Sequence, residues 1–454
     1  MPELDFVGGA YLDYSPNVNA QECMNFYPVL DQQEGKMALY PTPGLKSHAT
    51  ILAANPIRGL HKMGTDLYIA VGAKLYKRTS GGSNSELGSL DTSSGVVYFA
   101  DNGSKLMLTD GTEGYTYISA AFAKIADADF PTPGTLTFMD GYFIVSEAGT
   151  GNFYISALDD PTSWSATDTS SAEGDPDNLV RVINHQNDLW LLGATSLEIW
   201  YNAATTFPFE RIKGGMIRTG CIAAASVFEF DRYLYFIDDK KRAVRSLGLQ
   251  TERISTPQIE YIWGQQTSIT DAIGFAYSDE GHDYAVFTFP TANFTYVYDI
   301  TTGFWHKRAS YSTDGRWRGQ NYVYFENTHL VGDHTNGKLL EIDSATYQDD
   351  SNTINRKRTA KYVRGDRKRV FHHRVELQLQ VGHAALNPTL KYSDDGGVTF
   401  TSAGAKVLSS GDYKARAIWR RLGSARERVY QLTISDNAKI VVVGAHLDAK
   451  AGLH

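Results

Sequence analysis

Cysteine is nearly absent from this chain: 454 residues contain only Cys23 and Cys221. Neither has a Cys or His neighbour at metal-ligand spacing, so two buried thiols are expected rather than a disulfide framework or a zinc site. No run of about eighteen apolar residues occurs, so no spanning helix and no membrane insertion are expected. The amino terminus, Met1-Pro2-Glu3-Leu4-Asp5, lacks the basic leader and apolar core of a signal peptide, which points to synthesis in a cytoplasm. Also missing are G-x-S-x-G, G-x-x-x-x-G-K-[ST], H-E-x-x-H and any nucleophile with an evident base. No catalytic, cofactor-binding or metal residue can be named, and a non-enzymatic protein without a cofactor is the expectation.

What the chain does have is aromatic residues and repetition. Its 27 Tyr, 21 Phe and 7 Trp are scattered among Gly, Thr and Ser, which favours strands over helices. A strand pair such as Leu67-Tyr68-Ile69-Ala70-Val71, turn, Lys74-Leu75-Tyr76 returns around Leu106, Phe143, Leu189, Leu234, Tyr284 and Leu330. The anchors are 39, 37, 46, 45, 50 and 46 residues apart, the spacing of four-stranded blades. The fold expected is all-β: a β-propeller of six or seven blades over 51–350. An extended amino-terminal arm (1–50) precedes it, and an antiparallel, sandwich-like β-domain (360–454) follows.

The runs at Leu67, Phe143, Leu189, Leu234 and Tyr284 are too apolar for a one-sided surface and should lie between sheets. The partner strands Asn152–Ile155, Leu197–Tyr201 and Thr295–Asp299 alternate and read as half-exposed. Two polar stretches, 79–95 and 158–178, read as long loops, with Trp164 an argument for order in the second. The arm is rich in turn formers, Ser15-Pro16-Asn17, Tyr27-Pro28 and Tyr40-Pro41-Thr42-Pro43-Gly44. Such an arm can supply a missing outer strand to the last blade, or reach a neighbouring subunit.

Charge is uneven. Residues 355–374 hold nine Lys/Arg against one acid, a local +8 in a chain of net −8, so the remainder sums to −16. Arg356, Lys357, Arg358, Lys361, Arg364, Arg367, Lys368 and Arg369 are therefore candidate contacts to a partner or a second subunit. Nucleic-acid phosphates and a merely solvated face are the alternatives. His372-His373 lacks a third ligand for zinc, and the pairs Asp159-Asp160, Asp238-Asp239 and Asp349-Asp350 read as turn residues rather than calcium loops. Ser393-Asp394-Asp395-Gly396-Gly397-Val398-Thr399-Phe400 fits an Asp box. In that pattern, which begins at Ser393, Asp395 and Thr399 cap backbone groups of a hairpin turn, Gly397 permits a positive φ, and Phe400 packs under the sheet. The box resembles those of sialidase propellers, where it is structural, and leaves a carbohydrate-binding or sialidase-like propeller as the alternative function.

One ordered set of motifs goes further. Phe153-Tyr154-Ile155-Ser156-Ala157-Leu158-Asp159-Asp160-Pro161, Trp164, Ala172-Glu173, Pro176-Asp177, Asp188-Leu189-Trp190, Gly193 and Ser196-Leu197-Glu198-Ile199-Trp200-Tyr201 resembles the tail hub proteins of short-tailed bacteriophages. These are also described as packaged DNA stabilisation or head completion proteins. Tyr11-Leu12-Asp13-Tyr14, Asn19–Pro28, Pro41-Thr42-Pro43-Gly44-Leu45 and Gly72–Lys77 are similar to the same family. The resemblance implies a virion tail component that forms a homo-oligomeric ring of six below the portal adaptor ring and extends the DNA exit channel. It also implies retention of packaged DNA, docking of a tail needle, fibre or spike, and passage of double-stranded DNA without sequence-specific binding. The carboxy-terminal Asp box is not part of that family pattern.

Overall fold

The structure, a computed structural model, describes residues 3–4, 6–12, 19–30, 35–172, 174–311, 313–365 and 368–452. Five antiparallel four-stranded sheets follow one another over 57–89, 98–124, 133–171, 179–217 and 228–253. A sixth blade opens with four strands over 273–308, and a seventh has three of its own over 319–343. The innermost strands pack side by side around an axis, and Gly319–Phe325 of blade 7 returns to Ile57–Met63 of blade 1. The propeller therefore has seven blades.

Blade 7 obtains its fourth strand from the amino-terminal part of the chain. Gly44–Leu52 runs antiparallel to Gly337–Asp343, in register from Asp343↔Gly44 to Gly337↔Leu52. A side chain at Gly44 would fall 2.5 Å from the carbonyl oxygen of Gln348 and 2.6 Å from that of Thr346, so only glycine admits the next strand here.

The second strand of each blade is the stability source. Leu67, Ile69, Val71, Phe143, Ile144, Leu189, Leu191, Leu234, Val286 and Leu330 are each fully buried, contributing about 1.5–3 kcal/mol apiece. The third strands differ from their sequence reading. Leu197–Asn202 and Phe294–Asp299 are mostly buried, because their alternating polar residues find partners inside. Glu198 accepts from the Trp200 indole at 2.8 Å and pairs with Arg211 at 3.0 Å, and Thr288 and Thr295 bond each other at 3.0 Å. The half-exposed strands are the outermost ones, and these explain the two supposed loops. Asn84–Ser89 and the twelve-residue Asp160–Ser171 are the outer strands of blades 1 and 3. An outer strand faces water at its edge and on much of its surface, so it carries loop-like composition. Trp164 is buried there, its indole bonded to the Pro161 carbonyl at 2.8 Å. Among the described residues the α-helix is Pro257–Gly264, started by Thr256 with Pro257 at its first position, and it buries Trp263 against blade 6.

The carboxy-terminal sandwich grows out of the propeller rather than following it on a linker. Trp305–Arg308, the outer strand of blade 6, pairs with Cys23–Met24, which pairs with Arg356–Thr359, which pairs with Glu427–Ile434. One sheet thus runs from the propeller axis to the far strand Thr401–Ala405. The second sheet joins Ala417–Arg420, Val370–Leu379 and Val442–Ala451 to the hairpin Phe26–Leu30 and Met37–Pro41. The segment read as an extended arm that closes the propeller or reaches a neighbour does close the last blade and is built into both domains, while the Ser15-Pro16-Asn17 turn lies outside the described residues. Cys23 and Cys221 are unpaired and fully buried, and burial pushes their thiols up to about 11 and about 12.

Two residues of the basic segment belong to this seam, which corrects their reading as surface contacts. Arg356 and Arg358 are fully buried, since they sit on a central strand of the continuous sheet. Arg358 donates to the carbonyls of Phe6 and Gly9 at 2.9 and 2.7 Å and to Gln21 Oε1 at 2.9 Å. Arg356 donates to the carbonyls of Tyr347 and Asp436 at 3.1 and 3.3 Å. Beside it Asp349 is 1% exposed, and burial pushes its carboxyl up to about 7, against the pull of Arg356 and Arg318.

Arg358→Ala removes three donations to buried acceptors and should destabilise the protein by about 3–5 kcal/mol in chemical denaturation. Lys368→Ala, at an exposed position, should stay within about 0.5 kcal/mol. For Asp349 the folded-state carboxyl titrates above its unfolded value. Its contribution is full at low pH and is lost as pH rises from about 4 through about 7. Asp349→Asn should therefore raise the melting temperature at pH 8 relative to wild type, with the difference shrinking or reversing by pH 5.

Candidate functional site

The remaining cations of the basic segment divide by their partners. Lys357 pairs with Asp314 at 2.6 Å and Glu22 at 3.5 Å, and Arg364 pairs with Glu427 at 3.5 Å while its guanidinium covers the Tyr362 ring. Lys361, Lys368 and Arg369 are exposed, and Arg367 lies outside the described residues. Sheet pairing then brings in cations that are far away in sequence. Phe371, 46% exposed, sits opposite Lys450 on one side and Ser424 on the other. Arg374 is directly opposite Arg420. The Arg421 backbone N–H donates to the His373 carbonyl at 3.0 Å, and that of Gly452 to the Arg369 carbonyl at 2.7 Å.

One end of the sandwich therefore gathers Lys368, Arg369, Arg420, Arg421, Arg426 and Lys450 around Phe371. All six are exposed, and none has an acidic partner among the described residues. Arg374 is balanced by Asp448 across the other strand pair and by Glu376 at 3.9 Å, but the six exposed cations are not, and an arginine fork matches carboxylate or phosphate, so this end favours an anionic partner. Residues 420, 421, 426 and 450 escape a sequence reading because each is a short basic interruption, joined to 368–371 only by strand register.

The charge division along the chain is larger than the 355–374 run indicates. Residues 355–454 carry 19 basic against eight acidic residues, +11, and residues 1–354 carry 24 against 43, −19. A separation of that size produces long-range fields as well as local contacts.

The Asp box lies in the sandwich, on the hairpin between Thr389–Ser393 and Thr401–Ala405, and not in a blade. Asp395 accepts from the Ser393 hydroxyl at 2.6 Å, from the backbone N–H groups of Val398 and Thr399, and from the Thr399 hydroxyl. Those bonds hold its carboxyl well below the usual range. Gly397 has φ +81°, its N–H donates to Ser393 Oγ at 2.8 Å, and Phe400 is half-buried. Neighbouring Asp394 receives both arms of Arg428, each at 2.6 Å. The box's side chains are committed to the turn.

On the propeller axis a cavity of about 540 Å³ is walled by inner-strand residues, including Tyr98, Phe99, Phe228, Phe275, Tyr322 and Arg181. The Arg181 guanidinium lies 4.3 Å over the Tyr98 ring, and His61 on the same wall is engaged by Asp101 at 2.6 Å. His372 is buried against the Tyr430 hydroxyl at 2.9 Å, with burial pushing its imidazole down to about 4, whereas His373 faces solvent. Among the described residues no group of three or more His, Cys, Asp or Glu is placed to hold a metal ion. Among the described residues no helix is long and apolar enough to cross a membrane.

The solved structures to which the chain is similar are distant. The PorZ surface component of the type-IX secretion system of Porphyromonas gingivalis has 10% identity and a TM-score of 0.41; the match covers 67% of this chain and 38% of that one. The computationally designed Ika8 protein has 10% identity and a TM-score of 0.40, with 75% and 100% covered. Hsv2 of Kluyveromyces lactis has 9% identity and a TM-score of 0.31, with 56% and 97% covered. Among curated proteins no sequence matches. The family models are decisive, because they account for both domains in order: bacteriophage P22 Gp10, beta-propeller, matches residues 3–347, and bacteriophage P22 Gp10, beta-sandwich, matches residues 355–450. The chain belongs to the bacteriophage P22 Gp10 family of tail hub, or head completion, proteins of short-tailed phages, and is a structural protein of the phage tail.

Proposed function

We propose that six copies of this chain form a ring that extends the DNA exit channel below the portal adaptor, helps retain packaged DNA, and docks a needle, fibre or spike at its distal end. The observation that carries this reading is the family match through propeller and sandwich together. The propeller suits a wall: seven stacked blades with the ring closed by an internal strand leave little to deform. An acidic propeller suits a channel lining on the faces left open to the lumen, because negative walls repel phosphates and let duplex DNA slide without sequence-specific contact. The chain has no catalytic part in this reading, and the cationic sandwich end is the surface that meets other protein.

Negative-stain imaging of the purified protein, alone and with its portal adaptor, should reveal six-fold rings. A particle that stays monomeric in both samples would overturn the assignment. The Asp box motivates the competing glycan-binding reading, so a glycan array is the direct comparison. No binding is expected, and Asp395→Ala should loosen the 393–401 hairpin in hydrogen exchange without changing the array.

A further inference from the structure

The negative charge of the propeller is concentrated on one side. Residues 91–200, which build blades 2 and 3 and most of blade 4, contain 16 acidic residues and only Lys105, Lys124 and Arg181 as basic ones, a local −13. The sandwich is rooted elsewhere, on the outer strands of blades 6 and 7, through Trp305–Arg308 and Gly44–Leu52. Around a seven-blade ring, blade 3 is half the circumference from the seam between blades 6 and 7. The acidic arc and the basic sandwich therefore occupy opposite sides of one molecule. The cationic cluster is also far from the domain root: on Val442–Ala451, Val442 pairs with Leu39 of the amino-terminal hairpin, and Lys450 is eight residues further along, about 26 Å at strand rise.

We propose that copies of this chain join head to tail, the cationic sandwich end of one copy seated on the acidic arc of blades 2–4 of the next. The inference rests on the ring reading above and names its subunit contact. A two-fold contact through the same patch would place Arg420, Arg421 and Lys450 against themselves, which is repulsive. A head-to-tail contact matches opposite charges, and it closes into a ring when the rotation between copies closes. The arc offers exposed carboxylates for this purpose. Asp129 and Asp159 are exposed and Asp168 lies on the outer strand of blade 3; none of the three carboxylates is paired with a cation among the described residues, Lys105 reaching only the backbone carbonyl of Asp159 at 2.5 Å.

The test uses charge reversal on the full chain. One variant carries Arg420→Glu, Arg421→Glu and Lys450→Glu; the other carries Asp129→Lys, Asp159→Lys and Asp168→Lys. Each alone should weaken assembly by about ten-fold or more in sedimentation velocity, at unchanged thermal stability. Mixed together they should recover rings, because in an alternating ring the introduced glutamates of one copy face the introduced lysines of the next, and each unchanged patch faces an unchanged arc. Rings that survive both reversals, or a mixture that fails to recover, would overturn the contact while leaving the ring reading intact. A wild-type protein that never assembles defeats both. Should either variant misfold, a salt titration of the wild type decides: assembly should weaken steeply between about 50 and about 500 mM NaCl, and indifference to salt would overturn the proposal. Duplex DNA captured by the wild-type patch and lost on reversal, with rings unaffected, would assign the patch to DNA instead.

Discussion

Everything in this molecule depends on the amino-terminal fifty residues being held inside it. A circular array of four-stranded blades closes only when its last blade has its fourth strand, and here that strand is Gly44–Leu52, nearly three hundred residues away from its partner strand in sequence. The same segment supplies Cys23–Met24, the strand between blade 6 and the sandwich. Asn25 fastens that crossing: its side chain exchanges bonds with both the N–H and the carbonyl of Ala309 and donates to the carbonyl of Asn355. Arg358 fastens it from the other side by gripping the carbonyls of Phe6 and Gly9. Pairing this non-local ties the amino-terminal segment into both domains, so propeller and sandwich form one continuous sheet system.

That continuity gives the charge separation a mechanical meaning. A basic domain on a flexible linker would sample many orientations and define no direction. Here ten strands run from the propeller axis into the sandwich, and the cationic end is carried at a set place on the rim. A rigid separation of +11 from −19 gives approaching molecules an orientation before contact. The Asp box contributes on the same level, as a turn lock on the outer hairpin, with Asp394 tied back to the sheet by Arg428.

Strand periodicity was readable wherever both faces of a strand are covered by other blades. Leu67–Val71 and Leu189–Leu192 announce themselves as apolar runs because apolar side chains fill both faces of these strands. The outer strands Asn84–Ser89 and Asp160–Ser171 did not, since water on one side removes the constraint on composition. Glu198 and Thr295 misled in the opposite direction: a buried polar residue with a hydrogen-bond partner looks, in sequence, like a solvent-facing one. Arg356 and Arg358 misled for the same reason, their guanidinium groups being solvated by backbone carbonyls instead of water.

The sequence alone determined the all-β class, the blade repeat, the carboxy-terminal strands, the family and the existence of a basic segment, because each is written in local periodicity or local order of motifs. Tertiary structure decided the number of blades, the origin of the closing strand and the membership of the cationic end. Those depend on which strands pair, and pairing brings Lys450 beside Phe371 and Gly44 beside Asp343 by hydrogen bonds between residues that share no local pattern.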